Sequence, residues 1–329
     1  MKNIKKIITV ALIGLFSVGA AGCNMIEKTD EAIKKSPVAK FNNETITRGQ
    51  LDEKMADYIA EIKKQYGENY VNNAEAKETL LSQKKQVLEQ MINEKIIYKK
   101  ASEKNLTATD EEISKKIDEF KKDMDEEILK NLYGFKEGYN DPEFKEYIKS
   151  NITLEKLINE ETKDLKVEDK EIQDYYNSNQ NKFTEKPNRY NVARIVVNTE
   201  DEAKKVKERI EKGEDFAKIA KEVSIDTSSK DKGGDLGFLE YNDTNYGSNF
   251  MINVMGLKEG AISNPFQDTT GWNVVKMIKK EEYPVKKLET VKDEIKKTLL
   301  EQKKSQKFNE IFSKWKEEAK VKYYEKNLI

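Results

Sequence analysis

Two polar side chains interrupt apolar runs that are typical of β-strands. Arg194 stands in a run of valine, alanine and isoleucine, and Asn273 stands in a second run rich in valine. Because side chains alternate along a strand, Arg194 shares a face with Val192, and Asn273 shares one with Val275. A polar group buried in such a row must be paired. Each side chain therefore either completes a structural hydrogen-bond network or donates to a ligand.

The remaining residue types limit the chemistry that the chain can perform. Its 329 residues include no histidine and a single cysteine, Cys23. Histidine-based zinc sites, Ser-His-Asp and Cys-His centres, and disulfides within one chain are therefore excluded. Carboxylates, hydroxyls, amides, lysine and arginine remain. We expect no metal and no cofactor.

The composition favours long solvated helices over one large globule. Charged residues make up 37% of the chain and apolar residues 36%, and 60 basic residues balance 61 acidic ones. Helices with one apolar stripe and charged outer faces have this balance of charged and apolar residues. A net charge of −1 argues against nucleic-acid binding, because counterion release requires a concentrated basic surface.

The first residues have the pattern of an export signal. Lys2, Lys5 and Lys6 precede an apolar stretch over residues 7–18, which is shorter than the roughly 20 residues of a membrane span. Small residues then lead to Cys23, in an arrangement that resembles a bacterial lipobox. The resemblance implies a diacylglyceryl group on Cys23 and a protein tethered to the outer face of a cell membrane of the Gram-positive type. An ordinary signal peptide with an incidental cysteine is the alternative.

A helical region is expected over residues 38–185, after a signal peptide (1–22) and a polar tether (23–37). Residues 38–47 predict a short strand, an Asn-Asn turn and a returning strand. Capping boxes then open helices after Thr47, where one helix should run to about Tyr66, and after Thr109. Pro142 marks the first turn of another helix.

The sequence pattern changes at residue 186, where strand-like runs begin to alternate with short helical ones. A strand from Tyr190 is followed by a capping box at Thr199, two helices, the run Gly-Gly-Asp-Leu-Gly at 233–237, a short helix near 249–255 and a strand over 272–278. The pattern predicts a β-α-α-β-α-β module over residues 186–282.

The last segment, residues 283–329, predicts a long helix over 288–318 with an apolar stripe. A lone helix of this length needs a partner, and the N-terminal helices are the natural one. We therefore expect an α+β protein, in which a mostly helical domain is built from the N- and C-terminal segments. An α/β domain with an antiparallel sheet and flanking helices is inserted in it.

The inserted module resembles the parvulin family of peptidyl-prolyl isomerases. Five segments carry the resemblance in order: Val-Ala-Arg-Ile-Val-Val at 192–197, Lys-Gly-Glu-Asp-Phe-Ala-Lys-Ile-Ala at 212–220, Gly-Gly-Asp-Leu-Gly at 233–237, Leu-Lys-Glu-Gly-Ala-Ile-Ser at 257–263 and Gly-Trp-Asn-Val-Val-Lys at 271–276. With its signal peptide and helical frame, the whole chain is similar to the PrsA-type foldase lipoproteins. Its N-terminal domain resembles that of the SurA chaperones.

The resemblance implies an extracytoplasmic foldase. Such a protein isomerises Xaa-Pro bonds in exported polypeptides and holds partly folded clients. The alternative is a non-catalytic holdase whose parvulin fold has lost its site. The resemblance leaves open whether the chain is a monomer or a homodimer.

The resemblance also implies a set of site residues. The apolar socket for the proline ring falls on Leu236, Tyr246 and Phe250, with Met255 beside it. The central carboxylate, where relatives carry Cys or Asp, falls on Asp226. The hydroxyl that precedes the last strand falls on Thr270.

The chain departs from the family at two site positions. Parvulins normally carry one histidine on the first strand and one on the last, and these positions are Arg194 and Asn273 here. Three interpretations follow: a hydrogen-bonded floor around Asp226, direct donation from Arg194 or Asn273 to the substrate amide, or an inactive site.

Overall fold

The computed structural model of the chain describes residues 29–329. The predicted signal peptide, Cys23 and the first part of the predicted tether lie outside these residues. The rest of that tether contains the short helix α1 (Asp30–Lys35), which follows an N-cap at Thr29. Helix α1 contacts the next helix, where a Cβ atom on Gly49 would lie 3.1 Å from the carbonyl oxygen of Lys34.

The described residues form two compact units. One contains the residues up to Leu165 together with Leu300–Ile329, and the other is Lys166–Leu299. Within residues 29–329, every helix falls short of the length or apolarity required to cross a membrane.

The first unit is mostly helical. Its helices are α2 (Arg48–Lys54), α3 (Ala56–Tyr66), α4 (Ala74–Glu103), α5 (Asp110–Asp123), α6 (Glu126–Tyr133) and α7 (Pro142–Glu161). The capping boxes predicted at Thr47 and Thr109 are present. The single helix predicted to reach Tyr66 is wrong, because the backbone leaves helical geometry at Met55 (φ −108°, ψ 12°) and divides it into α2 and α3.

The two ends of the chain meet in a small sheet of this unit. Strands β1 (Pro37–Phe41) and β2 (Glu44–Thr47) form the predicted hairpin, and β7 (Lys322–Tyr323) pairs with the other edge of β1. The long C-terminal helix α12 (Leu288–Ala319) supplies Phe308, Phe312 and Trp315 to the same core as Leu88 and Ile92 of α4. A helical domain built from both chain ends is therefore the observed fold class.

The second unit contains the predicted α/β module. Its elements are α8 (Asp169–Ser178), β3 (Arg189–Val197), α9 (Glu200–Glu211), α10 (Phe216–Val223), β4 (Asp235–Glu240), α11 (Ser248–Met255), β5 (Phe266–Asp268) and β6 (Gly271–Glu281). The sheet is antiparallel in the order β4-β3-β6-β5.

This unit begins about twenty residues before the boundary predicted at residue 186. Ile172 of α8 and Phe183 pack with Val291 and Ile295 of α12 in one buried cluster. The apolar residues of α8 are therefore buried by packing against the start of the C-terminal helix.

Two cores cover the two faces of the four-stranded sheet. Helices α9 and α10 pack on the face that carries Ile195 and Val274. Helix α11 packs on the opposite face, against Val192 and Val275. The alternation predicted for the two strands is thus present, and it places Arg194 and Asn273 on the α11 side.

Candidate functional site

Arg194 and Asp226 form a buried ion pair on the α11 face of the sheet. The Nε of Arg194 donates to Oδ2 of Asp226 over 2.8 Å, and both side chains are only 10% exposed. Strand β3 supplies the arginine, and the loop that follows α10 supplies the aspartate. The amide of Ile225 donates to the carbonyl of Val196 over 2.8 Å, so the loop is fastened directly to the strand.

Hydroxyl groups complete the environment of Asp226. Oδ1 accepts from the Oγ of Ser228 at 2.6 Å and from the Ser228 amide at 3.2 Å, and Oδ2 also accepts from the Oγ of Ser229. Burial opposes ionisation of Asp226, but the hydrogen bonds from Arg194, Ser228 and Ser229 and the charge of Arg194 outweigh it. The pKa of Asp226 therefore lies well below its ordinary value.

Two aromatic rings lie beneath the Arg194 guanidinium. Its Cζ is 5.5 Å from the centre of the Tyr246 ring and 5.9 Å from that of Phe250. The two rings are stacked on each other, with centroids 4.8 Å apart. Burial raises the pKa of Tyr246, although the nearby Arg194 charge opposes this. Cation–π contacts with these two rings therefore help to hold the guanidinium in place.

The predicted apolar socket is one contiguous cluster. Leu236, Tyr246 and Met255 are half-buried and pack against the same core that contains Phe250. Helix α11 carries Phe250 and Met255, and Leu236 lies on β4. Phe250 itself is fully buried behind Tyr246. The half-buried members are therefore those that a ligand would touch.

Thr270 and Asn273 make no hydrogen bond to Arg194 or Asp226 in the described residues. Thr270 lies in the turn between β5 and β6, where its Oγ1 donates to Asp268 Oδ1 over 2.6 Å. Asn273 is fully buried and its Nδ2 donates to the carbonyl of Gly271 over 3.1 Å. Among the residues from 29 onward, its Oδ1 has no hydrogen-bond partner. The structure thus joins Arg194 with Asp226, while Thr270 and Asn273 bond within their own hairpin.

Sequence reasoning missed several contributors to this site. Phe266 on β5 lies 5.9 Å from the Phe250 ring, and strand β5 itself was not predicted. The Asp-Thr-Thr-Gly run at 268–271 is a turn signature that could have revealed the hairpin. Ser228 and Ser229 gave no such signal, because serines next to an aspartate are common in solvated loops.

Gly234 fixes the approach of β4 to the site. Its carbonyl accepts from the Arg194 amide over 2.8 Å. Its φ is +85°, and a Cβ atom there would lie 2.3 Å from the Arg194 carbonyl oxygen. Only glycine permits both the left-handed backbone and this close contact. The Gly-Gly-Asp-Leu-Gly run therefore positions β4 against the strand that carries Arg194.

Comparison with known proteins places both units in characterised families. Residues 1–158 match the model of the SurA-like N-terminal domain, and residues 167–293 match that of the PPIC-type PPIase domain. The second match has nearly the bounds of the second structural unit.

Full-length relatives extend these matches over the whole chain. Foldase protein PrsA of Clostridium botulinum (strain 657 / Type Ba4) is 47% identical over 341 residues, covering 100% of both chains. Foldase protein PrsA of Clostridium kluyveri is 45% identical with the same coverage. The crystal structure of peptidylprolyl isomerase PrsA from Bacillus cereus is 26% identical, covers 90% of this chain and 96% of its own, and has a TM-score of 0.41. From its identity to the two Clostridium proteins over its full length and from the PPIase domain match, the chain belongs to the PrsA foldase family and carries that family's peptidyl-prolyl isomerase domain.

Proposed function

We propose that this extracytoplasmic foldase isomerises Xaa-Pro bonds on the α11 face of its sheet, where Arg194 lies over Tyr246 and Phe250. The observation that carries the proposal is this combination of an apolar wall with a buried cation whose position is fixed by Asp226. The non-catalytic alternative is not favoured, because the PPIase domain match spans the entire module.

The reaction requires little covalent chemistry. Rotation about an Xaa-Pro bond faces a barrier of about 18–20 kcal/mol, because it interrupts amide resonance. No covalent bond breaks, so neither a nucleophile nor a metal is needed. A catalyst must instead bind the twisted amide better than either planar form. The absence of histidine is compatible with this requirement.

The site residues divide this task. Leu236, Tyr246 and Met255 hold the proline ring and exclude water, which disfavours the charge-separated planar amide. Arg194 donates to the carbonyl oxygen of the preceding residue as that carbonyl rotates. Asp226 holds the guanidinium in its orientation. It does not act as a base, since both of its carboxylate oxygens already accept hydrogen bonds from Arg194, Ser228 and Ser229. Preorganised donors of this type are the usual source of electrostatic catalysis.

Two variants on one helix test the site. Phe250 is fully buried beneath the socket, whereas Ile252 on the same helix is 64% exposed. Phe250→Ala should lower kcat/KM on an Xaa-Pro peptide by at least about tenfold, since truncating a buried phenylalanine removes about 3 kcal/mol of packing that holds the Tyr246 wall. Ile252→Ala is the matched control and should retain the wild-type rate. Equal rates for the two variants, both folded, would place the reaction elsewhere.

Anchoring to the membrane is the second part of the proposal. Cys23 is the only thiol and follows the small-residue end of the signal segment. Two acyl chains on this residue would give stable attachment, whereas one chain would not. Cys23→Ser should therefore move the protein from the membrane fraction to the medium or leave the precursor uncleaved. Normal maturation and full membrane retention of this variant would refute lipidation at Cys23.

The partners follow from the same proposal. Unfolded or partly folded exported polypeptides are the substrates, and the SurA-like unit is the part that we propose holds them. A homodimer stays a prediction, which light scattering of the purified chain can check.

A further inference from the structure

The Arg194–Asp226 pair leaves hydrogen-bond donors free but no acceptor free. Both oxygens of Asp226 already accept two hydrogen bonds each. The only hydrogen bond from the Arg194 side chain within the described residues comes from Nε. Neither of its two Nη groups makes a hydrogen bond there, and neither is fully buried. A ligand that enters the site therefore meets N–H groups carrying a positive charge.

The aromatic rings and Asp226 together fix the position of the guanidinium. Tyr246 and Phe250 cover one side of the guanidinium, and Asp226 fixes its Nε edge. The Nη groups belong to the same guanidinium that lies over Tyr246, one of the half-buried residues proposed to hold proline. A guanidinium presents a planar fork that matches a carboxylate, and this geometry makes arginine the preferred partner of such groups.

Nearby carboxylates do not cancel this preference through direct contact. Asp243, on the loop that carries Tyr246, accepts from the amide and Nδ2 of Asn245, both at 2.9 Å. Asp268 accepts from the amide and hydroxyl of Thr270 at 2.7 and 2.6 Å. In each case it is Oδ1 that accepts within its own turn, and across residues 29–329 neither carboxylate is hydrogen-bonded or ion-paired to Arg194.

From this asymmetry we infer that the site selects acidic substrates, preferring Glu-Pro and Asp-Pro bonds to Lys-Pro bonds. The inference rests on the proposed function, because it concerns the residue that precedes the proline held in the same socket. A carboxylate on this residue pairs with the Nη edge of Arg194. A lysine at that position meets the like charge of Arg194, and the carboxylate paired with that arginine, Asp226, already accepts four hydrogen bonds.

A peptide series tests the inference. Three peptides that differ only in Glu, Gln or Lys before proline are compared by kcat/KM on the full-length protein. We expect Glu to exceed Gln and Gln to exceed Lys, with a Glu-to-Gln ratio of roughly three to five, the range of a partly exposed ion pair. The ratio should shrink between low and high salt because screening weakens the pair.

Variants assign the preference to Arg194. Arg194→Gln should reduce the Glu-to-Gln ratio to about one while keeping a donor at the position. The double variant Arg194→Gln/Asp226→Asn removes the ion pair without leaving a buried charge unpaired, and should behave in the same way if the single variant does not fold. Lys232→Gln is the matched control, since it removes one charge from the exposed end of the Asp226 loop, and should keep the ratio.

The outcomes separate this inference from the proposed function. Equal rates on all three peptides, or a ratio that survives loss of the Arg194 charge, would overturn acidic selectivity and leave the isomerase site intact. A ratio lost in Lys232→Gln would assign the preference to the loop and overturn the role of Arg194. No activity on any peptide would overturn the proposed site and the selectivity together.

Discussion

At the scale of single residues, the site replaces titratable imidazoles with a permanently charged donor. An arginine side chain supplies a permanent positive charge in proteins. Asp226 stays ionised, because its hydrogen bonds and the Arg194 charge outweigh the effect of burial on its pKa. The pair is therefore a fixed dipole whose charges do not change near neutrality. This distinguishes it from a site that contains histidine, whose charge changes between pH 5 and 8.

Removal of the carboxylate should destabilise the module. Asp226→Ala leaves the Arg194 cation buried without a counter-charge, which typically costs about 3–5 kcal/mol. The folded pKa of Asp226 is depressed, so its contribution is present above the unfolded pKa of about 4 and is lost as pH falls through the folded value. The stability difference from wild type should thus be constant from pH 5 to 8 and shrink only below about pH 4.

Urea unfolding of wild type and Asp226→Ala at several pH values measures this difference. Asp231→Ala is the control, because Asp231 is exposed in the same loop. A difference below about 1 kcal/mol at pH 7, or one that titrates near pH 6.5, would show that the ion pair does not hold the floor of the site.

The residue scale also shows how far the sequence could anticipate this site. Alternation along the strands correctly placed Arg194 and Asn273 on the face that carries Val192 and Val275. Alternation cannot state which partner a buried side chain finds. Asp226 lies 32 positions after Arg194, and only the fold brings them together. The hydroxyl donors of Ser228 and Ser229 depend on a loop conformation that no periodic pattern encodes.

At the scale of elements, the sequence predicted correctly the helix starts that depend only on neighbouring residues. The capping boxes at Thr47, Thr109 and Thr199 all form, because each needs only residues three positions apart. Strand β5 was missed because three residues are too few for a period to appear. The interruption at Met55 was missed for a related reason, since no Pro or Gly marks it.

At the scale of the whole molecule, the last ten residues close the helical unit. Strand β7 pairs with β1, and Leu328 is 2% exposed in the shared core. Arg48 Nη1 donates to the Asn327 carbonyl over 2.9 Å, and Asn327 Nδ2 donates to the Pro37 carbonyl over 2.7 Å. The predicted association of both chain ends is thus extended by a segment for which the sequence predicted no structure.

Deletion of residues 320–329 should therefore weaken the helical unit selectively. Loss of buried Leu328 alone should cost about 2–4 kcal/mol, and the β7 ladder adds to this. Isomerase activity on a short peptide should persist, because the site residues lie within Lys166–Leu299.

Circular dichroism melting together with the peptide assay checks this selectivity. Lys326→Ala serves as the control, as Lys326 is exposed in the same segment. A deletion that melts like wild type would show that the C-terminal segment is dispensable. Loss of activity in a protein that still melts normally would contradict the assignment of the site to the second unit alone.

The central claim is that this foldase isomerises prolyl bonds through a fixed arginine rather than a titrating group, and a pH profile tests it most directly. We predict that kcat/KM on a Glu-Pro peptide is constant from pH 5.5 to 8. Arg194→Ala should lower it about tenfold to a hundredfold at every pH, as for loss of a charged hydrogen bond, while Lys232→Ala should not. A bell or step near pH 6.5, or an Arg194→Ala variant as active as wild type, would contradict the account.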